Sequence, residues 1–299
     1  MSLAPIVLFT YNRLEATKKT IQALQENFLA VESKLIIFSD GAKNENTESK
    51  VTEVRNYLKS INGFASIEII ESINNKGLAN SIITGVTEVI NQYGKVIVLE
   101  DDLVTLPNFL NYMNQNLDFY QENEKIISIC GYGLKIRKPK DYNSDVYLYG
   151  RSSSWGWATW KNRWTPIDWE VKDWNNFKTN KIAIRAFNKN GSDMFAMLKS
   201  VTEGNGNSWA IRFCYEQFKK STYSIMPFKT LVNNIGFSES GTNTKFKFSR
   251  FKTRNENPNK LDFLLDKDIV LNDEIQKECY KYHSLMIRIY SRIRYILNI

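Results

Sequence analysis

Three consecutive carboxylates, Glu100-Asp101-Asp102, close an unbroken apolar run, Val96-Ile97-Val98-Leu99. Acids crowded into one turn repel each other unless a cation neutralises them. An oxygen-only donor set suits a hard divalent ion, Mg²⁺ or Mn²⁺. A solvated acidic turn is the plain alternative. Acids that end a strand of this apolarity, however, fall where open α/β sheets bind ligands, outside the carboxyl ends of the strands. Asp40 repeats the arrangement, ending a second apolar run in the turn Ser39-Asp40-Gly41. Gly131-Tyr132-Gly133 begins like a dinucleotide fingerprint, but Ile136 stands where the third glycine belongs and Lys138-Pro139 follows where a helix should run. A nicotinamide or flavin site is therefore not expected.

The elements that must position these acids follow from periodicity. Short β-branched runs predict strands at 6–9, 35–38, 67–70 and 95–99, and helical spacing predicts helices at 14–24, 48–61 and 77–93. Pro107 opens a further helix. Alternation of this kind argues a parallel α/β sheet. Right-handed crossovers then bring four strand ends to one edge. The Thr10-Tyr11-Asn12-Arg13 turn, the Asp40 turn, the Asn75-Lys76-Gly77 loop and the acidic triplet would line a single cleft. Beyond residue 120 the spacing predicts strands at 126–130, 223–227 and 231–232, a strand-like DVYLYG, and an amphipathic helix at 207–219.

The chain has 299 residues, a charged fraction of 24% and a formal charge of +8, a composition of globular proteins with a lean toward anionic partners. The basic residues cluster mainly after residue 245 and no RNA-binding signature is present, so nucleic acid is not expected as a partner. The single histidine, His283, excludes a multi-histidine metal site. The three cysteines, Cys130, Cys214 and Cys279, have no zinc spacing and read as reduced thiols. With no visible secretory signal or membrane-spanning run, a cytoplasmic protein is expected.

Six of the seven tryptophans lie between 155 and 174. Most are expected in an aromatic core, with one or two free to stack on a sugar or base. The segment 246–260 is basic and polar and reads as a lid or linker. A final helix is expected from about 274. In its second half Leu285, Met286, Ile289, Ile293, Ile296 and Leu297 share one side, while Lys281, Arg288, Arg292 and Arg294 are present and no acid follows Glu278. Two readings stay open: a helix docked on the core, or an interfacial anchor at a membrane surface.

At VLEDDL, the following PNFLNYM, GWATW, Ser208-Trp209-Ala210-Ile211-Arg212 and the run 234–242, the chain resembles inverting glycosyltransferases of the GT-A fold. More narrowly, it is similar to bacterial family 2 enzymes that share motifs with eukaryotic N-acetylglucosaminyltransferase I. The resemblance covers roughly residues 4–245 and implies a Rossmann-like, mostly parallel central sheet flanked by helices. It divides the chain into a glycosyltransferase domain, 1–245, with a nucleotide-sugar half (1–120) and a smaller mixed acceptor half (121–245), followed by a basic linker and C-terminal helix, 246–299.

The resemblance also implies roles. Thr10, Tyr11, Asn12 and Arg13 would wrap the nucleotide, and Asp40 would accept from the base, typically uracil. Asn75, Lys76, Gly77 and Asn80 would follow the ribose and diphosphate. Glu100 and Asp101 would meet the donor sugar and ribose, and Asp102, the last acid of a DXD-like motif, would ligate Mn²⁺ or Mg²⁺. Gly156-Trp157 and Ser208-Trp209 would shape the sugar and acceptor pockets. Lys76, Arg13 and Arg151 offer charge-assisted contacts to a diphosphate leaving group. The implied reaction carries a sugar from a nucleotide diphosphate, a UDP-sugar by this pattern, to a glycan or lipid-linked glycan in surface polysaccharide synthesis.

Two positions depart from the family. Asn207 stands where the catalytic base is an aspartate, and Asn243 where histidine is frequent. Glu203 and Asp193 are the nearby substitutes for the base. A non-catalytic nucleotide-sugar or glycan-binding protein on the same fold is the competing expectation. A nucleotidyltransferase would need a glycine-rich phosphate loop after the first strand, and TYNRLEAT is not one.

Overall fold

The computed structural model describes residues 2–236, 251 and 253–297, with side chains through Arg294. The run 237–242, Asn243 and the basic stretch up to 250 lie outside the described residues, as do the side chains of Ile296 and Leu297.

The first half alternates strand and helix: β1 (Ile6–Thr10), α1 (Leu14–Gln25), β2 (Lys34–Ser39), α2 (Glu45–Leu58), β3 (Ser66–Glu71), α3 (Leu78–Tyr93) and β4 (Lys95–Glu100). Then follow β5 (Leu103–Thr105), α4 (Phe109–Phe119), β6 (Ile126–Cys130), β7 (Val146–Tyr149), β8 (Trp157–Trp160) and the short helices α5 (Lys161–Trp164), α6 (Trp174–Phe177) and α7 (Lys181–Phe187). The chain continues through α8 (Met194–Thr202), α9 (Trp209–Lys219), β9 (Tyr223–Pro227), β10 (Val232–Asn234), α10 (Asp273–Tyr282) and α11 (Leu285–Leu297).

Eight strands form one sheet in the order β3-β2-β1-β4-β8-β6-β9-β7. The first four are parallel, as the alternation predicts, and β6 and β9 also pair in parallel. β8 runs antiparallel to both β4 and β6, and β7 runs antiparallel to β9. The result is the mostly parallel, helix-flanked sheet of a GT-A, Rossmann-like fold. Side-chain alternation sorts the two faces. Ile6 and Leu8 of β1 pack with Ile21 and Leu24 of α1 and with α2 and α4, whereas Val7 and Phe9 pack with α3, Trp157 and α9.

Several local expectations change in tertiary context. GWATW supplies β8, a central strand, because its Trp157 and Ala158 pair with Val98 and Ile97. Leu103-Val104-Thr105, directly after the acids, forms an antiparallel ribbon with Val232–Asn234, so the strand expected at 231–232 is displaced. The single final helix is two. The carbonyl of His283 turns to the amide and hydroxyl of Ser192 (3.4 and 3.0 Å). The Ser284 hydroxyl then accepts from the Ile287 amide (3.4 Å) and starts α11.

The tail divides accordingly. Phe263, Ile269, Ile275, Cys279 and Tyr282 are buried in the main core, and Gln276 donates to the carbonyl of Leu148 (2.7 Å). α10 is thus docked, whereas the apolar side of α11 is exposed.

Candidate active site

Four strand ends meet at one edge of the sheet, and hydrogen bonds join them in a line. The Asp40 amide donates to the carbonyl of Thr10 (3.0 Å), tying the β2 loop to the β1 loop. The Asp40 carboxylate accepts from the amides of Gly41 (2.9 Å), Lys76 (2.8 Å) and Gly77 (3.0 Å) and from the Asn75 side chain (3.1 Å). It therefore clasps the β3–α3 loop with each lone pair engaged, and is 9% exposed. Gly77, at φ 72°, begins α3 in a conformation that disfavours other residues. At Gly41 an added Cβ would meet backbone atoms of Ile73 and Asn74 at 2.5–2.8 Å, so the two loops approach as only glycine permits.

At the other end of the line, Arg13 pairs with Asp101 and, at 2.9 Å, with Asp102. The Tyr11 amide adds a bond to Asp101 (3.4 Å), and the Thr20 hydroxyl donates to the Asp101 carbonyl (3.0 Å). The Tyr11 hydroxyl accepts from the Lys43 amide (3.2 Å), and the Ile235 amide donates to the carbonyl of Asp102 (2.9 Å). Thr10 is buried, Asn12 half-buried, and Lys76 and Asn80 exposed, with Asn80 donating to the carbonyl of Lys76 (3.1 Å). Asp40, Lys76, Gly77 and Thr10–Arg13 are thereby gathered beside Asp101 and Asp102.

Three carboxylates face one guanidinium. Burial, reinforced by Asp102 and Asp101, pushes Glu100 up to about 8. Burial likewise lifts Asp101 to about 6 despite Arg13. Burial works against the charge of Arg13, but Asp101 and Asp102 outweigh it and hold its pKa above the ordinary value. Such a cluster favours additional positive charge. Among the described residues no three His, Cys, Asp or Glu side chains form a metal cage. The acids present would suit a divalent ion held by one or two carboxylates rather than by a protein cage.

Arg55 of α2 is a residue the sequence reading passed over. Its guanidinium donates to the Ser39 hydroxyl and carbonyl (3.2 and 3.3 Å) and to the carbonyls of Asp40 (3.3 Å) and Ser72 (2.7 Å), and it pairs with Glu71 (3.3 Å). It staples the β2 and β3 ends together. No local pattern marks it, since its partners lie on other elements.

Trp157 and Trp209 are 2% and 4% exposed and stack on each other at 4.7 Å beside Trp164 and Phe213. They build the wall behind the sheet edge. Trp155 is half-buried, edge-on to Tyr132 and Phe251. With Arg151, Ser152, Ser208, Tyr149 and His283 it lines a cavity of about 270 Å³ in the second half of the molecule.

The two substitutes for the base differ. Asp193 is buried and bound by Arg151 at 2.7 Å. Burial works to raise its pKa, but Arg151 outweighs burial and brings it down to about 2. A carboxylate so held is a poor proton acceptor. Glu203 ends α8, is exposed, and lies 3.9 Å from Lys199. Asn207 is also exposed and accepts from Arg212 (2.8 Å).

The Asp193 pair has a consequence for stability. Its folded pKa is depressed, so its contribution is complete above the unfolded value of about 3.9 and is lost as pH falls toward the folded value. Urea unfolding of wild type should therefore weaken across that acid window, and Asp193→Asn should flatten this limb. Parallel curves for the two proteins would show that the pair carries no linkage.

The comparisons with known proteins can now be set beside this geometry. No curated protein matches the chain. A UDP-glucose pyrophosphorylase solved with UDP-glucose is similar over 75% of this chain and 90% of its own, at 15% identity and a TM-score of 0.38. The mannosyltransferase PcManGT from Pyrobaculum calidifontis, solved with GDP-Man and Mn²⁺, is similar over 73% of this chain and 69% of its own, at 10% identity and a TM-score of 0.39. TarS of S. aureus is similar over 52% of this chain and 28% of its own, at 11% identity and a TM-score of 0.34. The family model described as "Glycosyl transferase family 2" matches residues 6–185, which include all four strand ends of the clasped edge, and the chain belongs to that family.

Proposed function

We propose that this protein transfers a sugar, with inversion, from a nucleoside diphosphate donor to a hydroxyl of a glycan or lipid-linked glycan acceptor. The observation that carries the reading is the line of clasped loops from Asn75 through Asp40 and Thr10–Arg13 to Asp102. It gathers the loops after β1, β2, β3 and β4 at one sheet edge, with a charged centre at one end. The β1 loop and the Asp40 clasp hold the nucleoside, with UDP the preferred form, and Lys76 lies beside the diphosphate. Asp102 would hold Mn²⁺ or Mg²⁺, which when bound offsets the charge of the departing diphosphate, and Glu100 and Asp101 would meet the donor sugar and ribose. Arg13 pairs with Asp101 and Asp102 and offsets part of the triplet's charge. Glu203 takes the proton from the attacking hydroxyl, since Asp193 is committed to Arg151. Inversion follows from attack on the face of the sugar opposite the leaving group. Surface-polysaccharide synthesis in the cytoplasm, at the inner face of a membrane, is the proposed setting. The three buried, free cysteines agree with a reducing compartment.

The bond between Asn207 and Arg212 favours a second reading, a binding protein without turnover. A donor screen by thermal shift, with and without Mn²⁺, tests the common part. A ligand at about 100 times its Kd stabilises by about 2.7 kcal/mol. No shift with any nucleoside diphosphate sugar would overturn both readings. Slow donor hydrolysis in the absence of acceptor marks the enzyme, and binding without hydrolysis or transfer marks the alternative.

Asp40 gives a further expected result. Asp40→Ala removes the acceptor shared by Gly41, Asn75, Lys76 and Gly77. Hydrogen bonds to a charged group are worth roughly 1.5–3 kcal/mol. UDP and the UDP-sugar should weaken by the same factor, because the loss concerns the nucleoside end they share. Calorimetric titration of both ligands checks this, and unchanged UDP affinity would remove Asp40 from the site.

A further inference from the structure

α11 begins where the fold stops burying apolar side chains. On a helix of ~100° per residue, Leu285, Met286, Ile289, Tyr290 and Ile293 occupy a continuous arc of roughly 140°. Their exposures are 56, 77, 46, 56 and 47%. The preceding α10 behaves in the opposite way, burying Ile275 and Cys279 completely. An apolar stripe of this kind normally faces a partner.

The charges beside the stripe identify the partner. Arg292 and Arg294 border the arc on its two sides, and Arg288 lies beyond Arg292. Lys281 adds a fourth cation, and no acid occurs after Glu278. Apolar side chains bordered by cations fit the boundary between acyl chains and anionic headgroups. No described helix is long and apolar enough to cross a membrane, so α11 would lie along the surface rather than span it.

The root of α11 is fixed to the second half of the molecule. The His283 carbonyl accepts from the amide and hydroxyl of Ser192, and Arg288 donates to the same hydroxyl at 3.3 Å. Ser192 precedes Asp193, whose partner Arg151 lines the cavity together with His283. A surface that binds α11 would therefore hold this cavity at a set place beside it.

We propose that α11 is a peripheral docking element for an anionic lipid bilayer. The docking does not depend on sugar transfer, so its test stands or falls separately from the reaction.

The test is flotation of the full chain with vesicles of phosphatidylcholine alone or containing roughly one third phosphatidylglycerol. Runs at about 0.05 M and about 0.5 M salt separate the electrostatic part. The full chain should float with the anionic vesicles at low salt, and at least tenfold less with neutral vesicles or at high salt. One cation near such a surface contributes a factor of about five, so Arg292→Glu should weaken binding by more than that. The double variant Met286→Asp, Ile293→Asp should lose binding at least tenfold while keeping the melting temperature of wild type, because both side chains are exposed. Absence of flotation with anionic vesicles at low salt, or a double variant that floats like wild type, overturns the proposal. So does a chain that ignores vesicles but sediments as a dimer dissolved by the double variant, which would make the arc an interface between copies.

Discussion

Asp102→Asn should lower turnover by roughly 10²–10³-fold while the melting temperature stays close to that of wild type. The side chain sits at the end of β4, is 9% exposed, and touches Arg13 rather than the core. Asparagine preserves its size, and Arg13 keeps its bond to Asp101. The Asp102 carbonyl still receives the Ile235 amide, so the β4–β5 turn retains its anchor. What disappears is one negative charge at the place proposed for the metal and diphosphate. Two measurements check the assignment: turnover across a Mn²⁺ titration, and binding of Mn²⁺ with UDP in the absence of acceptor. A variant with wild-type turnover and wild-type Mn²⁺ dependence would remove Asp102 from the metal role.

Glu203→Gln should lower kcat by roughly 10²–10⁴-fold, the range for loss of a general base, with donor affinity unchanged. The distinction from a structural effect is sharp here. Glu203 is exposed and its separation from Lys199 is 3.9 Å, a surface pairing worth no more than about 0.5 kcal/mol. Its replacement should leave the melting temperature alone. Asp193→Asn is the opposite case, since it strands the guanidinium of Arg151, whose side chain is 16% exposed, and should destabilise the fold. A protein that loses turnover in Glu203→Gln and stability in Asp193→Asn fits the proposed division of roles. Full activity in Glu203→Gln would move the base to another acid.

The four-strand start of the sheet was legible in the sequence because its signals are local. Runs such as Val96–Leu99 and Leu35–Phe38 are β-branched and short, and the helices between them show the 3.6-residue period. Once strand and helix alternate, the handedness of the crossovers leaves little freedom. The strand ends must then share one edge, and Asp40, Arg13 and the acidic triplet arrive there together. The edge that gathers these residues was thus legible in the sequence.

Partner choice was not. Asp40 reads as an open acceptor in the sequence, yet the structure saturates it with donors from a loop about 36 residues away. Arg13 reads as a phosphate contact, yet it pairs with acids 88 and 89 residues on. Nothing in a local pattern ranks such distant partners, because the ranking depends on which charges are buried together. GWATW shows the same limit. Its tryptophans suggest a ligand wall, but the space between β4 and β6 requires a strand, and the rings then fill the core behind it. Trp155, one residue before the glycine, lines the cavity while packing edge-on against Tyr132 and Phe251.

The C-terminal segment divides along the same line. The sequence by itself determined that residues 285–297 carry an apolar arc bordered by cations, since composition and period suffice for that. It also determined the acids, the turns and the parallel half of the sheet. The tertiary structure alone decided which of two amphipathic helices is buried. α10 finds apolar partners on the β7 side of the core. α11 is redirected at His283, whose carbonyl bonds Ser192 instead of continuing the helix, and its arc is left without a protein surface to cover it among the described residues. Amphipathicity is a property of a segment. Burial is a property of what the rest of the chain has already filled.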